Sequence, residues 1–334
     1  MGRARPPVLV TRRLPREALD RIEARCDMTL YDGEGAMPRD QLLTEVAGKA
    51  GAITLLTDRV DDEFLNAAGP QLKIVANYAV GFDNIDVEAC TRRGVLASNT
   101  PEVLTETTAD TAFALMLAAA RRIAEGDRFV RSRGSWIWGP LMMLGQDVHH
   151  ATLGVVGFGR IGQALARRAH GFSMHVIYYD MYRLPAEVEQ ELGAEYRDLE
   201  DLLRESDFVS LHTSLTPQTR HLINAARLAL MKPTAVLVNT SRGPVIDEAA
   251  LAQALMQGQI FAAGLDVFER EPDVYPHLLA CDNAVLIPHL GSATVTTRLA
   301  MADLAIDNLL AALEDRHPPT LLNPQAREHK ASTG

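Results

Sequence analysis

The feature that most constrains this chain is a glycine-rich segment that runs from Leu153 to Gly162 and reads LGVVGFGRIG. It carries the pattern G-x-G-x-x-G at Gly157, Gly159 and Gly162, with a strand pattern before it and helix-compatible residues after it. In that context Gly157 permits a tight turn, Gly159 lets the backbone approach a pyrophosphate, and Gly162 permits close helix packing. A helix N-terminus also favours negative charge. The segment predicts a dinucleotide-binding unit, and the alternative is a glycine-rich turn without a ligand.

The next predicted strand indicates which dinucleotide is bound. It ends at Asp180, 18 positions after Gly162. An acid at this place can accept hydrogen bonds from the ribose hydroxyls of adenosine, and it repels a 2′-phosphate. This favours NAD(H). Arg183 lies close by and can receive a 2′-phosphate, so NADP(H) is kept as the alternative.

Short β-prone runs alternate with helix-length segments along most of the chain. The runs cover 8–10, 28–31, 52–56, 73–76, 153–156, 174–179, 208–211, 235–239, 262–265 and 284–287. Such alternation predicts parallel sheets, and the length exceeds what one core usually supports. We therefore expect an α/β protein with two doubly wound parallel-sheet domains. Residues 101–292 form a Rossmann-like NAD-binding domain, and residues 1–100 and 293–334 form a flavodoxin-like substrate-binding domain.

Two long helices and a tail complete this prediction. An alanine- and leucine-rich segment from Glu102 to Glu125, with no internal glycine or proline, predicts one helix that links the two domains. Residues 132–146 are less regular. A second long helix, Thr294 to Leu313, can return the chain to the first domain. The polar tail from Gln325 to Gly334 is expected to be disordered.

Composition excludes several classes of function. Of the 334 residues, 43 are acidic and 33 are basic, and no basic stripe stands out, which argues against binding to nucleic acid or to an anionic membrane. No segment approaches membrane-spanning length. Cys26, Cys90 and Cys281 are scattered, as expected for reduced thiols and a cytoplasmic location. No metal site is predicted, because the adjacent His149 and His150 lack further ligands.

Three titratable or charged side chains follow strand patterns in the second half of the chain: Arg242, Glu271 and His289. The carboxyl ends of parallel strands are where an open α/β sheet binds its ligands. Taken singly, each residue has an ordinary explanation. Arg242 can be an ion-pair partner, Glu271 a surface acid, and His289 a core or helix-capping histidine. Their joint occurrence after neighbouring strand patterns favours a catalytic site.

With these motifs, the chain resembles the D-isomer-specific 2-hydroxyacid dehydrogenases, and most closely their glyoxylate/hydroxypyruvate reductase branch. The resemblance extends from the segment YAVGFDNID, which begins at Tyr78, through the glycine motif to the closing helix. It implies that His289 gives a proton to the carbonyl oxygen of a 2-oxo acid. It also implies that Glu271 orients the imidazole and favours its charged form. It also implies that Arg242 holds the carboxylate and carbonyl oxygens.

The resemblance implies further contacts in both domains. Backbone N–H groups of Val80 and Gly81 are expected to bind the substrate carboxylate, so that both domains contribute to the site and close on it. Leu56 is expected to line the substrate pocket. Asp266 resembles an acid near the nicotinamide amide, with capping of a strand end as the alternative. The full set expected to bind cofactor comprises Gly157, Phe158, Gly159, Arg160, Ile161, Gly162, Asp180, Thr240, Asp266, His289 and Gly291.

Other residues indicate which substrate is reduced. The turn at residues 79–81 lacks the lysine that phosphite-oxidising relatives carry, and Glu271 stands where formate-oxidising relatives have glutamine. Together with apolar Leu55 and Leu56, these differences favour glyoxylate and hydroxypyruvate. One alternative is 2-ketogluconate or another larger 2-oxo acid. A second is an NAD-sensing regulator, since corepressors that resemble these dehydrogenases retain the fold and the three catalytic residues.

A homodimer is also expected. Residues 135–145 hold both tryptophans and two methionines outside any clear helix pattern, which suggests a contact surface. In the family that the chain resembles, this region packs against the second subunit. Trp138 or a neighbour is then expected to reach the substrate pocket of the partner, with ordinary packing within the chain as the alternative.

Overall fold

A computed structural model describes residues 4–326. The chain forms two compact units, one comprising Met1–Leu104 with Thr294–Gly334 and the other Thr105–Ala293. Gln325 and Ala326 belong to a final turn, in which the Ala326 N–H donates to the Asn323 carbonyl at 3.0 Å. The rest of the tail that was expected to be disordered lies outside the described residues.

The first unit contains a parallel sheet of five strands in the order β2-β1-β3-β4-β5. The strands are β1 Pro7–Val10, β2 Asp27–Leu30, β3 Gly51–Thr54, β4 Ile74–Asn77 and β5 Leu96–Ser98. This is the flavodoxin-like order, so the predicted architecture is confirmed. β3 and β4 are buried along their whole length. That explains why they read as continuous apolar runs without alternation.

Helices cover this sheet. They are α1 Arg16–Glu23, α2 Arg39–Val46, α3 Asp62–Ala68, α4 Val87–Arg92 and α13 Val295–Leu313, the last numbered in chain order. The long helix α13 packs on β3, β4 and β5. At Gly51 an added Cβ would lie 2.6 Å from a methyl carbon of Leu309, so this glycine permits the close approach of α13 to the sheet.

The second unit contains seven parallel strands in the order β12-β11-β10-β9-β6-β7-β8. They are β6 Thr152–Val156, β7 His175–Tyr179, β8 Ala194–Tyr196, β9 Phe208–Leu211, β10 Val236–Asn239, β11 Ala262–Leu265 and β12 Ala284–Leu286. Counted from β6, the strand order is that of a Rossmann sheet. The order reverses between the neighbouring parallel strands β6 and β9, which is the topological switch point. The predicted runs omit two short strands, β8 here and β5 in the first unit, each at the edge of its sheet.

Helices flank the second sheet, and buried apolar clusters lie between sheet and helices. The helices are α5 Thr105–Ala120, α6 Ile123–Arg133, α7 Arg160–His170, α8 Ala186–Leu192, α9 Leu199–Glu205, α10 Ala225–Leu228, α11 Glu248–Met256 and α12 Pro276–Leu279. Among residues 4–326, no helix has the length and apolar character needed to cross a bilayer.

The prediction of one helix from Glu102 to Glu125 is wrong, because α5 and α6 are separate. Arg122 between them has a left-handed φ of 52°, and its guanidinium binds the Glu125 carboxylate at 2.6 and 2.7 Å. The Ala120 carbonyl instead accepts the Gln146 N–H at 2.9 Å. The break therefore depends on a contact with a later segment, and no glycine or proline marks it in the sequence.

Candidate active site

The sheet order of the second unit brings three predicted residues to one edge. Arg242 follows β10, Glu271 follows β11, and His289 follows β12. Because these strands are consecutive neighbours in a parallel sheet, their carboxyl ends lie side by side. The three side chains thus come from adjacent loops at the edge where α/β sheets bind ligands.

His289 and Glu271 form a hydrogen-bonded pair. His289 Nδ1 lies 2.8 Å from Glu271 Oε2, while Glu271 Oε1 accepts the Phe268 N–H at 3.0 Å. Burial by itself raises the pKa of Glu271, but the hydrogen bond and charge of His289, the Phe268 amide and the Arg242 charge together lower it below its usual value. The two side chains are 34% and 37% exposed, so the pair remains accessible to a ligand.

Asp266 holds the backbone around His289. The Asp266 carbonyl accepts the His289 N–H at 2.9 Å, and its carboxylate accepts the N–H groups of Leu290 and of Gly291, the latter at 2.8 Å. His289 itself has a left-handed φ of 54°. Burial raises the pKa of Asp266 more than the two backbone donors lower it. These bonds are those of a strand-end cap, and they fix the direction in which the imidazole leaves the backbone.

The loop that carries Arg242 is organised by Asn239, a residue that the sequence analysis did not assign. The Asn239 side chain is buried, donates to the Arg242 carbonyl at 2.9 Å, and accepts from the N–H and hydroxyl of Ser241 at 3.0 and 2.8 Å. Arg242 Nη1 donates to the Ser241 carbonyl at 2.7 Å. A polar residue at the end of an apolar strand is the only signal for this role that the sequence contains.

The loops of Arg242 and Glu271 are tightly packed against each other. A Cβ added at Gly243 would lie 1.9 Å from the Phe268 carbonyl carbon, so only glycine permits this approach. Glu248 and Glu269 reinforce the contact reciprocally, because the N–H of each donates to the carboxylate of the other at 3.1 and 2.6 Å. The relative position of Arg242 and Glu271 is therefore fixed by backbone contacts.

The three glycines of the nucleotide motif occupy different environments. Gly157 has a left-handed φ of 89°, and its added Cβ would lie 2.7 Å from the His212 carbonyl carbon. An added Cβ at Gly162 would lie 2.4 Å from the Gly157 carbonyl oxygen. At Gly159 an added Cβ would meet nothing within 4 Å. Two of the glycines thus serve the fold, while the third leaves space beside the N-terminus of α7.

Four more residues expected to bind cofactor lie around this loop. Phe158 is buried and stacks on Tyr178 with ring centroids 4.3 Å apart, so its side chain belongs to the core and only its backbone is part of the loop surface. Its N–H donates to Asp180 Oδ2 at 2.7 Å. Arg160 begins α7 with an exposed side chain, and Ile161 is half-buried. Asp180 therefore lies directly against the glycine loop, as a residue that binds ribose must.

Two buried hydroxyl groups at the same edge fit a polar ligand. Thr240 follows β10 and Thr213 follows β9, and neither Oγ1 atom has a hydrogen-bond partner among the described residues. Buried polar atoms are rarely left without a partner unless a ligand or water supplies one. With the space at Gly159, these hydroxyls are what a dinucleotide site requires. Thr240 was among the residues expected to bind cofactor, whereas Thr213 was not.

Arg183, the residue for which NADP(H) was kept as the alternative, forms an ion pair with Glu189. Its Nε and Nη2 atoms each lie 2.9 Å from a carboxylate oxygen of Glu189, and its guanidinium lies 5.7 Å from the ring centroid of Tyr196. Glu189 Oε1 also accepts the Tyr178 hydroxyl at 2.7 Å. A 2′-phosphate would have to compete with Glu189 for this arginine.

The remaining predicted residues belong to the first unit. Leu56 is half-buried in the loop after β3, and Val80 and Gly81 lie in the turn after β4. Both loops are thus at the carboxyl edge of their own sheet. Within residues 4–326 no group of three or more histidine, cysteine or acidic residues is arranged to hold a metal ion.

The chain is similar to known proteins in sequence and in structure. Residues 113–291 match the family described as "D-isomer specific 2-hydroxyacid dehydrogenase, NAD binding domain". A protein named glyoxylate reductase from Pyrococcus furiosus is 50% identical over 326 residues, covering 96% of each chain. The crystal structure of the TT0316 protein from Thermus thermophilus is 46% identical with a TM-score of 0.89, and the match covers 95% of this chain and 99% of that one.

A further solved structure was determined with ligands. It is an NADPH-dependent glyoxylate/hydroxypyruvate reductase from Sinorhizobium meliloti in complex with NADP and malonate. It is 32% identical to this chain with a TM-score of 0.82, and the match covers 97% of this chain and 98% of that one.

Proposed function

The chain belongs to the D-isomer-specific 2-hydroxyacid dehydrogenases, and we propose that it reduces small 2-oxo acids, glyoxylate and hydroxypyruvate, with NAD(H) as cofactor. The observation that carries this proposal is the hydrogen-bonded pair of His289 and Glu271, beside Arg242, at the carboxyl edge of a dinucleotide-binding sheet. Reduction of a 2-oxo acid requires a hydride at C2 and a proton on the carbonyl oxygen. The bound nicotinamide supplies the hydride.

His289 supplies the proton. Its Nδ1 is bound to Glu271, so Nε2 is the ring nitrogen that gives a proton to the developing alkoxide during reduction and takes one back during oxidation. Glu271 stays ionised because its pKa is lowered, and its negative charge favours the charged imidazolium. Histidine suits this task since its charge changes near neutral pH.

Arg242 holds the substrate. Its planar guanidinium can bind carboxylate and carbonyl oxygens together, a geometry that lysine does not reproduce. The bonds that Asn239 makes to Ser241 and to the Arg242 carbonyl keep the loop in place before substrate arrives. In the first unit we assign Leu56, Val80 and Gly81 to the substrate. On this basis residues 1–100 and 293–334 bind substrate, and residues 101–292 bind NAD.

NAD(H) is favoured over NADP(H) by charge. Asp180 lies against the glycine loop, where its carboxylate repels a 2′-phosphate, and Glu189 engages Arg183. The relative from Sinorhizobium meliloti is NADPH-dependent, so NADP(H) is kept as the alternative. We assign Gly157, Phe158, Gly159, Arg160, Ile161, Gly162, Asp180, Thr240, Asp266, His289 and Gly291 to the cofactor.

We also propose that the protein is a cytoplasmic homodimer. Ile137 is 93% exposed and Trp138 is 77% exposed, and Leu141 next to them is exposed as well. Large apolar side chains clustered in one short segment favour an interface with a second copy. The three cysteines are unpaired and buried, which supports a reducing compartment.

The dimer has a direct test. Light scattering after size-exclusion chromatography should give about twice the chain mass of 36.5 kDa, and Trp138→Lys should lower it. Trp138→Ala tests whether this side chain reaches the substrate pocket of the partner. Unchanged kinetics with glyoxylate in an intact dimer would remove that idea.

The function itself is tested by oxidation of NADH and NADPH, at matched concentrations, with glyoxylate, hydroxypyruvate, pyruvate and 2-ketogluconate. Fast turnover of NADH with glyoxylate and hydroxypyruvate is the expected result. Higher efficiency with 2-ketogluconate would assign a larger substrate instead. NADH binding without turnover of any acid would favour an NAD-sensing regulator.

A further inference from the structure

The turn after β4 is held by two asparagine side chains. Asn99 Nδ2 donates to the Val80 carbonyl at 2.7 Å, and Asn77 Nδ2 donates to the Gly81 carbonyl at 3.0 Å. Two consecutive peptide carbonyls are thus each bound by a side-chain amide. The preceding carbonyl, that of Ala79, accepts the Thr100 N–H at 2.8 Å.

The donors lie in the interior of the unit. Asn77 and Thr100 are fully buried, and Asn99 is 8% exposed. In a planar trans peptide the N–H points opposite to the carbonyl. The N–H groups of Gly81 and Phe82 therefore point away from the asparagines that hold the carbonyls of their own peptide units. Phe82 is 44% exposed and Gly81 is half-buried, so the turn lies at the surface of the unit.

The orientation of the Asn77 amide is itself fixed. Its Oδ1 accepts the Thr54 hydroxyl at 3.1 Å, which leaves Nδ2 as the group that faces the Gly81 carbonyl. Asn84 pairs with the same amide at 3.3 Å. It also donates to the carbonyls of Leu55 and Asp58 at 3.0 and 2.9 Å, in the loop after β3. One buried network therefore sets the turn after β4 and its neighbouring loop.

We propose that Asn77 and Asn99 are positioning residues for the substrate carboxylate. By holding the carbonyls of Gly81 and Val80 they direct the N–H groups of Phe82 and Gly81 outward as a pair of donors for a carboxylate. Donors oriented during folding need no reorganisation when the anion binds. The inference rests on the proposed function and adds to it the residues that aim the backbone amides, with Phe82 as a donor.

The test uses Asn77→Asp and Asn99→Asp, which keep the shape of the side chain but replace the donor by an oxygen. Without the donor, the carbonyl is released and the peptide can rotate. A hydrogen bond to a charged group contributes about 1.5–3 kcal/mol, so losing one should weaken carboxylate binding about 10-fold or more. Calorimetric binding of oxalate, in the presence of NADH, measures this without turnover.

Kinetics separate positioning from general damage. In each variant the KM for glyoxylate should rise about 10-fold, in line with the oxalate Kd, while kcat and the KM for NADH change less than about threefold. Asn99→Ala, which introduces no acid, replaces any aspartate variant that does not fold. Unchanged oxalate affinity in folded variants at both positions would overturn the proposal.

Asn323→Asp is the matched control. Asn323 is a buried asparagine of the same unit that donates to the Val95 carbonyl at 2.9 Å and accepts the Ala97 N–H at 2.8 Å, at β5 rather than at the turn. Asn323→Asp should lower the stability of the protein without weakening the binding of oxalate. An equal loss of oxalate affinity in this control, or no oxalate binding to the wild type, would contradict the inference. Oxalate binding without turnover of glyoxylate would instead contradict only the proposed function.

Discussion

Glu271 Oε2 lies 2.8 Å from His289 Nδ1, although the two residues follow different strands and are separated by 18 positions in the sequence. The other carboxylate oxygen is held by the Phe268 N–H, and the His289 N–H is held by the Asp266 carbonyl. Both members of the pair are thus anchored to the backbone as well as to each other. This arrangement sets the ring orientation and leaves Nε2 for the substrate.

His289→Gln should remove most turnover. Glutamine fills similar space but cannot transfer a proton, and general acid catalysis is worth about 10²- to 10⁴-fold, so kcat for glyoxylate reduction should fall by that factor. NADH affinity, measured by fluorescence titration, should fall by less than about threefold, because His289 is one of eleven residues assigned to the cofactor and the other ten are unchanged. A variant with near wild-type kcat would show that another group supplies the proton.

The pH dependence of the wild type follows from the same pair. Glu271 has a lowered pKa, so its carboxylate is already ionised in mildly acidic solution, and its interaction is lost only as pH falls through that lowered value. The carboxylate therefore keeps its charge at neutral and alkaline pH, and rising pH disfavours the step in which His289 gives a proton. Reduction should slow and oxidation should accelerate with rising pH. The measurement is the initial rate in each direction, under conditions where chemistry is shown to limit the rate. A trend opposite to this expectation would mean that His289 does not supply the proton.

Glu271→Gln should weaken catalysis without abolishing it. The amide can keep the Phe268 bond, but it removes the negative charge that favours the imidazolium. A hydrogen bond between charged groups is worth about 1.5–3 kcal/mol, so kcat should fall about 10- to 100-fold. A kcat near the wild-type value would mean that Glu271 acts only through the shape of its loop.

The sequence predicts the fold well because its signals are local. The alternation of apolar strands with helix-length segments, and the glycine pattern from Gly157 to Gly162, depend on neighbours in the chain, and the two parallel sheets are confirmed. The long helix is the counterexample. Its break at Arg122 depends on Gln146, which binds the Ala120 carbonyl, and no local signal reports such a contact.

The residues that support the site were harder to predict for the same reason. Asn239 and Asn77 each occupy the last position of a strand, where an isolated polar residue has many explanations. Their roles follow from carbonyl groups in turns that only the folded chain brings within reach. The effect of Arg183 was likewise ambiguous in sequence, because its partner Glu189 lies in the next helix.

Gly159→Ala and Gly162→Ala should separate cofactor binding from folding. Gly159 has φ −73° and ψ −160°, which alanine can adopt, and its Cβ would meet nothing within 4 Å. Gly159→Ala should therefore leave the Tm of the free protein unchanged. It should weaken the binding of NADH about 10-fold or more, because the methyl group occupies the space where a pyrophosphate approaches.

Gly162→Ala is the matched variant in the same loop. Its Cβ would lie 2.4 Å from the Gly157 carbonyl oxygen, so the loop or α7 must shift. Overpacking of this kind costs about 1–3 kcal/mol, which should lower the Tm by several degrees even without NADH. Differential scanning calorimetry of both variants, with and without NADH, is the measurement. Equal Tm losses would show that Gly159 is also structural.

Glu189→Gln should shift the cofactor preference toward NADPH. The ion pair with Glu189 occupies the Arg183 guanidinium, which the glutamine variant would release to meet a 2′-phosphate. We expect kcat/KM with NADPH to rise about three- to tenfold, with little change for NADH. Adding Arg183→Ala to this variant should cancel the gain, because it removes the cation that Glu189→Gln releases. Asp180 still repels the phosphate, so Asp180→Ala should raise NADPH use further when combined with Glu189→Gln. The measurement is a pair of parallel titrations of the two cofactors at saturating glyoxylate. An NADPH gain that survives Arg183→Ala would mean that Glu189 repels the phosphate directly and not by occupying Arg183.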